Sequence, residues 1–250
     1  MKPILLFCLL LLGVPLPGCG EPDPQPRAEA QPASVPEEPS PAEAFSADSA
    51  WVYLVTQVEF GPRVPGTAPH RRCADWMVSL LERFGGEVER QEFVYRDAED
   101  REWPLQNILA RFGPGGGGRL LLVAHWDTRP WADRDPDPQK RDQPIPGAND
   151  GASGVAVLLE VARSQGGVTL PRGVDLLLAD GEDLGRAGDT AGFCQGSRHF
   201  ARRGLGSYRR AVILDLVGAR GLVLPVEGNS LVLAPEVVDW VWSRGVELAP

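Results

Sequence analysis

The stretch LLLVAHWDT, residues 120–128, decides the architecture. Its first four residues are apolar without alternation, the pattern of a strand buried on both faces of a mostly parallel sheet. The strand then delivers His125 and Asp127, two positions apart. Two further runs repeat this design. Residues 174–179 (VDLLLA) are followed by Asp180, Glu182 and Asp183, and residues 211–214 by Asp215. Helical patterns lie between them. Val155, Leu158, Leu159, Val161 and Ala162 give residues 154–163 an apolar face, and residues 197–203 form a second helix. Alternating strands and helices predict an α/β fold, a mostly parallel mixed sheet flanked by helices.

Upstream, residues 51–60 read as a helix and GPRVPGT (61–67) as a turn-rich loop. Cys73, Trp76, Met77, Leu80, Leu81 and Phe84 recur at helical spacing. Thr67 can cap that helix, and Gly85–Gly86 ends it. This aromatic and methionine stripe is core. Residues 88–95 and 105–112 read as strands. The glycine run at 113–118 lacks the lysine and spacing of a phosphate loop, so it is a turn. Residues 235–248 read as a final helix.

In 250 residues with 43% hydrophobic content there is enough apolar mass for one core. The formal net charge of −9 argues against nucleic-acid binding, which needs a basic face. Lys2 precedes an apolar run at 4–12 that is too short to span a bilayer. Leu16, Pro17, Gly18 and Cys19 follow, resembling a bacterial lipobox with acylation at Cys19. The alternative is an ordinary secretory signal; on both readings the chain is exported, and acylation would anchor it to a membrane. Residues 21–41 hold seven prolines among polar residues and cannot build a core. The expected organisation is a signal at 1–18, a linker at 19–45 and one domain at 46–250. Within the domain at 46–250 only Cys73 and Cys194 are present. They could form a disulfide in an oxidising compartment or stay as two buried thiols.

In open α/β sheets ligands bind outside the carboxyl ends of the strands. His125, Asp127, Glu182, Asp183 and Asp215 therefore point at one place, joined by Asp150 from PGANDGASG (146–154). Converging carboxylates without basic partners repel, and a divalent cation relieves that cost. Carboxylates with an imidazole suit zinc. Taken alone, Asp150 could equally cap the following helix. Trp126 and Trp131 are candidates for a substrate wall, with packing as the competing role.

AHWDT, GANDGASG, ADGED and DLVG, in this order, resemble peptidase family 28, which holds zinc aminopeptidases and glutaminyl-peptide cyclotransferases. QGSRHFA (195–201) and DLVGA lean toward the cyclotransferase branch. The resemblance implies a three-layer zinc-exopeptidase-like sandwich over residues 46–250. It makes Asp150 and Asp183 metal ligands, although the family more often has glutamate at the latter position, and Glu182 the general acid/base. Asp127 would orient the ring of His125. In two-metal aminopeptidases His125 and Asp215 hold a second ion; in single-zinc cyclotransferases they lie beside the metal, with Asp215 in a hydrogen-bond relay to Glu182. The implied substrates are peptide or protein N-termini.

Both branches use a further zinc-binding histidine late in the domain. The other histidines here are His70, far upstream, and His199, expected to be structural or at the surface. None follows Asp215, so the chain is expected to be incomplete relative to the family, lacking that ligand and the last strands. Three functions remain open: cyclotransferase, aminopeptidase, or an inactive surface lipoprotein that keeps the fold.

Overall fold

The computed structural model describes residues 45–186, 190–203 and 208–248. The expectations for Cys19, the signal and most of the linker lie outside the described residues.

Ser46 opens the fold as the N-cap of α1 (Ala47–Glu59), its side chain accepting from the Ser49 amide. Its own amide donates to Glu160 Oε1 at 2.6 Å. Helix α2 (Ala68–Arg83) begins at the Thr67 cap with Pro69 in its first turn, where the missing N–H costs nothing. Strands β1 (Glu87–Arg96) and β2 (Glu102–Phe112) follow, then β3 (Arg119–His125), α3 (Ala152–Gln165), β4 (Val174–Ala179), α4 (Gln195–Arg202), β5 (Tyr208–Ile213), α5 (Gly228–Leu233) and α6 (Pro235–Leu248).

The strands form one mixed sheet in the order β1-β2-β4-β3-β5. β1 pairs antiparallel with β2, and β2 with β4. β3 pairs parallel with both β4 and β5. The continuous apolar runs are thus the three parallel strands, and the antiparallel half is built by the strands with more polar residues.

Side-chain alternation divides the core in two. Ile108, Ala110 and Phe112 of β2, Ala124 of β3, and Leu176 and Leu178 of β4 face α1, α2 and α3. Leu109, Leu121, Val123, Leu177 and Ala179 face the opposite way, toward Phe200 of α4. Leu158 and Leu159 of α3 and Met77, Leu80 and Leu81 of α2 fill the larger layer. Leu158 is fully buried. Its truncation to alanine is expected to cost about 2–5 kcal/mol. The check is a lower urea midpoint at an unchanged slope.

Cys73 is buried and Cys194 half-buried, and both are free thiols. Among the described residues no helix is long and apolar enough to cross a membrane.

Candidate metal centre

Register brings the site together. His125 at the end of β3 lies level with Ala179 of β4, and Val123 with Ile213 of β5. Because β3 is central among the parallel strands, His125 stands between the loop after β4 and the loop after β5. The amide of Trp126 extends the pairing to Ala179 O at 3.0 Å, and that of Leu214 to Val123 O at 2.8 Å.

Asp150 arrives from the loop before α3. The N-cap of α3 is Gly151, and no side chain caps it, so the capping role for Asp150 is excluded. Gly151 has φ +88°, and a Cβ there would sit 2.8 Å from Asp127 O and 3.1 Å from His125 Cε1. Only glycine lets this helix start press against the strand end. The loop after β5 is tied to the same helix start. Val217 N donates to Ser153 Oγ at 3.0 Å and Gly218 N to Asn149 Oδ1 at 2.7 Å.

His125 is buried, and its ring faces carboxylates on both sides. Nε2 lies 3.0 Å from Asp150 Oδ1 and 3.5 Å from Asp215 Oδ1. Nδ1 lies 3.4 Å from Asp127 Oδ1. Burial opposes a charged imidazole, but Asp127, Asp150 and Asp215 together raise its pKa well above the ordinary value. One ligand atom from each of His125, Asp150 and Asp215 falls within 4.8 Å of the others. Despite these neighbours, Nε2 is a buried nitrogen without an aligned hydrogen-bond partner. A nitrogen left unpaired between two carboxylates fits a cation at that point, and an N/O donor set suits zinc. Three such donors would suit a zinc ion that keeps one position for water or substrate.

Asp127 is fully buried and lies behind the His125 ring. Its carboxylate accepts from the amides of Glu182 and Asp183, both at 3.1 Å, while facing the His125 ring. Burial works to raise its pKa, but the His125 contact and these amides leave it below the usual carboxylate value. Asp127 therefore locks the ADGED loop to the imidazole, the support a ligating histidine normally has.

Glu182 is half-buried with its pKa raised, first by burial and further by Asp127 and Asp215, against the His125 charge and the Cys194 bond. Its Oε1 accepts from Cys194 Sγ at 3.3 Å. Among the described residues no hydrogen bond joins it to Asp215. Asp215 faces His125 instead, whose positive character lowers its pKa. Asp183 donates no ligand atom to the His125 cluster; its Oδ1 accepts from Arg129 Nη1 at 2.6 Å. Burial and Asp150 push its pKa up to about 7 against the pull of Arg129.

Both tryptophan assignments are corrected to packing. Trp126 is fully buried and stacks on His70 at 4.2 Å. Trp131 is buried beneath the guanidinium of Arg186 and edges Trp103. Asp180 leaves the constellation as well. It is fully buried and bonds His70 Nε2 at 2.9 Å, so the upstream histidine supports the strand end from behind. His199 stacks on Phe93 at 4.0 Å, the structural role expected of it.

Two contacts near the site were not legible in the sequence. Arg129 grips Asp183 and, with Nε and Nη2, Asp133; its position two residues past Asp127 was the available signal. Cys194 reaches Glu182 because it adopts φ +60°, a left-handed conformation that no local motif announces.

Among solved structures the chain is similar to Porphyromonas gingivalis glutaminyl cyclase, with 42% identity over 83% of this chain and 73% of that one at a TM-score of 0.79. A zinc-dependent exopeptidase from Parabacteroides distasonis gives 38% identity over 83% and 74%, also at 0.79. Tannerella forsythia glutaminyl cyclase gives 39% over 83% and 74%, again at 0.79. An uncharacterised Escherichia coli (strain K12) protein, YfbL, is 33% identical over 37% of this chain, a match spanning 25% of that protein. Residues 107–233 match Peptidase family M28. That segment carries His125, Asp150, Glu182 and Asp215 alike and makes up half of the sequence, so the chain belongs to peptidase family M28.

Proposed function

We propose that the protein is a zinc-dependent glutaminyl-peptide cyclotransferase, acting on the N-terminal glutamine of exported peptides from a lipid anchor at Cys19. The observation that carries this reading is the 36–42% identity, over most of the domain, to glutaminyl cyclases. His125, Asp150 and Asp215 would supply the cation ligands, a set that differs from the one the resemblance implies for a single zinc, with Asp183 close to Asp150. Zinc bound there supplies Lewis-acid polarisation of the substrate's γ-carboxamide carbonyl.

The chain's own residues handle the proton. The substrate α-amine attacks the γ-carbonyl carbon, forming the ring C–N bond. Glu182 accepts a proton from that amine and returns it to the departing nitrogen. The original C–N bond breaks, and ammonia leaves. A carboxylate whose pKa is raised toward neutrality suits both halves of this transfer. Asp127 keeps the Glu182 backbone fixed while its side chain works.

One observation favours a second reading. The cluster formed by His125, Asp150 and Asp215 is the ligand set expected of the second ion in a two-metal aminopeptidase. The two readings separate when a Gln-peptide and a leucine arylamide are offered to the same preparation. Ammonia release with the peptide intact is the expected result. Arylamine release without ammonia would establish the peptidase, and neither product from zinc-loaded protein would leave the inactive lipoprotein reading.

A further inference from the structure

The GPRVPGT loop places a fully buried arginine against the backbone next to His125 and on the loop that leads to Asp150. We propose that Arg63 is a positioning residue for the metal centre, a buried cation that sets the separation between the Asp150 loop and the His125 strand end. The proposal rests on reading His125, Asp150 and Asp215 as metal ligands.

Arg63 has no exposed surface, and among the described residues its guanidinium bonds only backbone carbonyls. Nε donates to Trp126 O at 2.9 Å, between His125 and Asp127. Nη2 donates to Gly147 O at 2.7 Å and Nη1 to Pro146 O at 3.1 Å, on the loop that ends in Asp150. Nη1 also reaches Gln57 O of α1 at 3.3 Å. The Arg63 carbonyl in turn accepts from the Thr128 amide at 3.2 Å. One planar fork thus spans both ligand-bearing segments and braces them on α1. Gly147 permits this approach. With φ +62°, a Cβ there would lie 2.9 Å from Nη2 and 2.3 Å from Thr128 Cγ2.

A charge with no anionic hydrogen-bond partner is costly to bury. Here the carbonyl dipoles solvate it, and the nearby Asp127 and Asp150 carboxylates stabilise it through space. The same attraction offsets repulsion among the carboxylates before a cation binds. Lysine keeps the charge but cannot reproduce the fork.

The test compares zinc affinity, by chelator competition, in the wild type, Arg63→Lys and Arg63→Ala. Affinity loss of about 10- to 100-fold is expected in both variants, the range for groups that orient metal ligands. Millimolar guanidinium, filling the space vacated in Arg63→Ala, is expected to recover part of it. Folded variants that hold zinc within about 2-fold of wild type would overturn the proposal alone. So would failure of both variants to fold with zinc present, which would make Arg63 a stability residue only. A wild type that binds no zinc would overturn the metal reading itself.

Discussion

Glu182→Gln is expected to lower kcat by about 10²- to 10⁴-fold, the usual contribution of a positioned acid or base. The amide matches the carboxylate in shape, and its oxygen still accepts from Cys194 Sγ, so the loop has no steric reason to move. Glu182 lies outside the His125, Asp150 and Asp215 cluster. Zinc content and KM are therefore expected to stay near the wild-type values. That split separates a lost proton carrier from a damaged site, since only an interaction confined to the transition state lowers kcat alone. Equal activity in the variant would remove Glu182 from the mechanism on both enzyme readings.

Asp150→Asn is expected to weaken zinc by more than about 100-fold, beyond the range of groups that merely orient ligands. Asparagine keeps the shape at the start of α3 but loses the charge 3.0 Å from His125 Nε2. The variant also permits a stability test. Without zinc, Asp150 repels Asp183, whose pKa it helps to raise. Relief of that repulsion is opposed by the lost attraction to His125 and Arg63, so the zinc-free variant is expected to stay close to zinc-free wild type in stability. With zinc at 100 times its Kd, the wild type gains about 2.7 kcal/mol and the variant far less. Thermal midpoints measured with zinc and with a chelator check both expectations. A variant destabilised equally in both conditions would mean that Asp150 is structural.

Much of the fold was written locally. The apolar runs ending at His125 and Ala179 became the central parallel strands, because strands covered on both faces cannot alternate with polar residues, whereas the third run became the edge strand β5, with Ile213 exposed. Thr67 and Ser46 cap the helices they precede, since capping needs only a side-chain oxygen and nearby amides. The convergence of His125, Asp150 and Asp215 also followed from the sequence, given the rule that strand ends of one sense share one edge.

What the sequence could not assign was the division of labour among its carboxylates. ADGED contains acids at 180, 182 and 183 that differ little as a string. Folding turned Asp180 inward to His70, 110 residues earlier, left Glu182 beside Cys194, and handed Asp183 to Arg129. Motif spacing reports which backbone segments meet at a strand end. Partner choice depends on which side chains other elements bring to within about 3 Å, where hydrogen bonds form and protonation is decided. The sequence thus determined the sheet, the helices and the edge at which the chemistry gathers. Only the tertiary structure decided that Trp126 packs on His70, that Asp127 faces the His125 ring, and that a buried arginine bonds the backbone beside both His125 and the Asp150 loop.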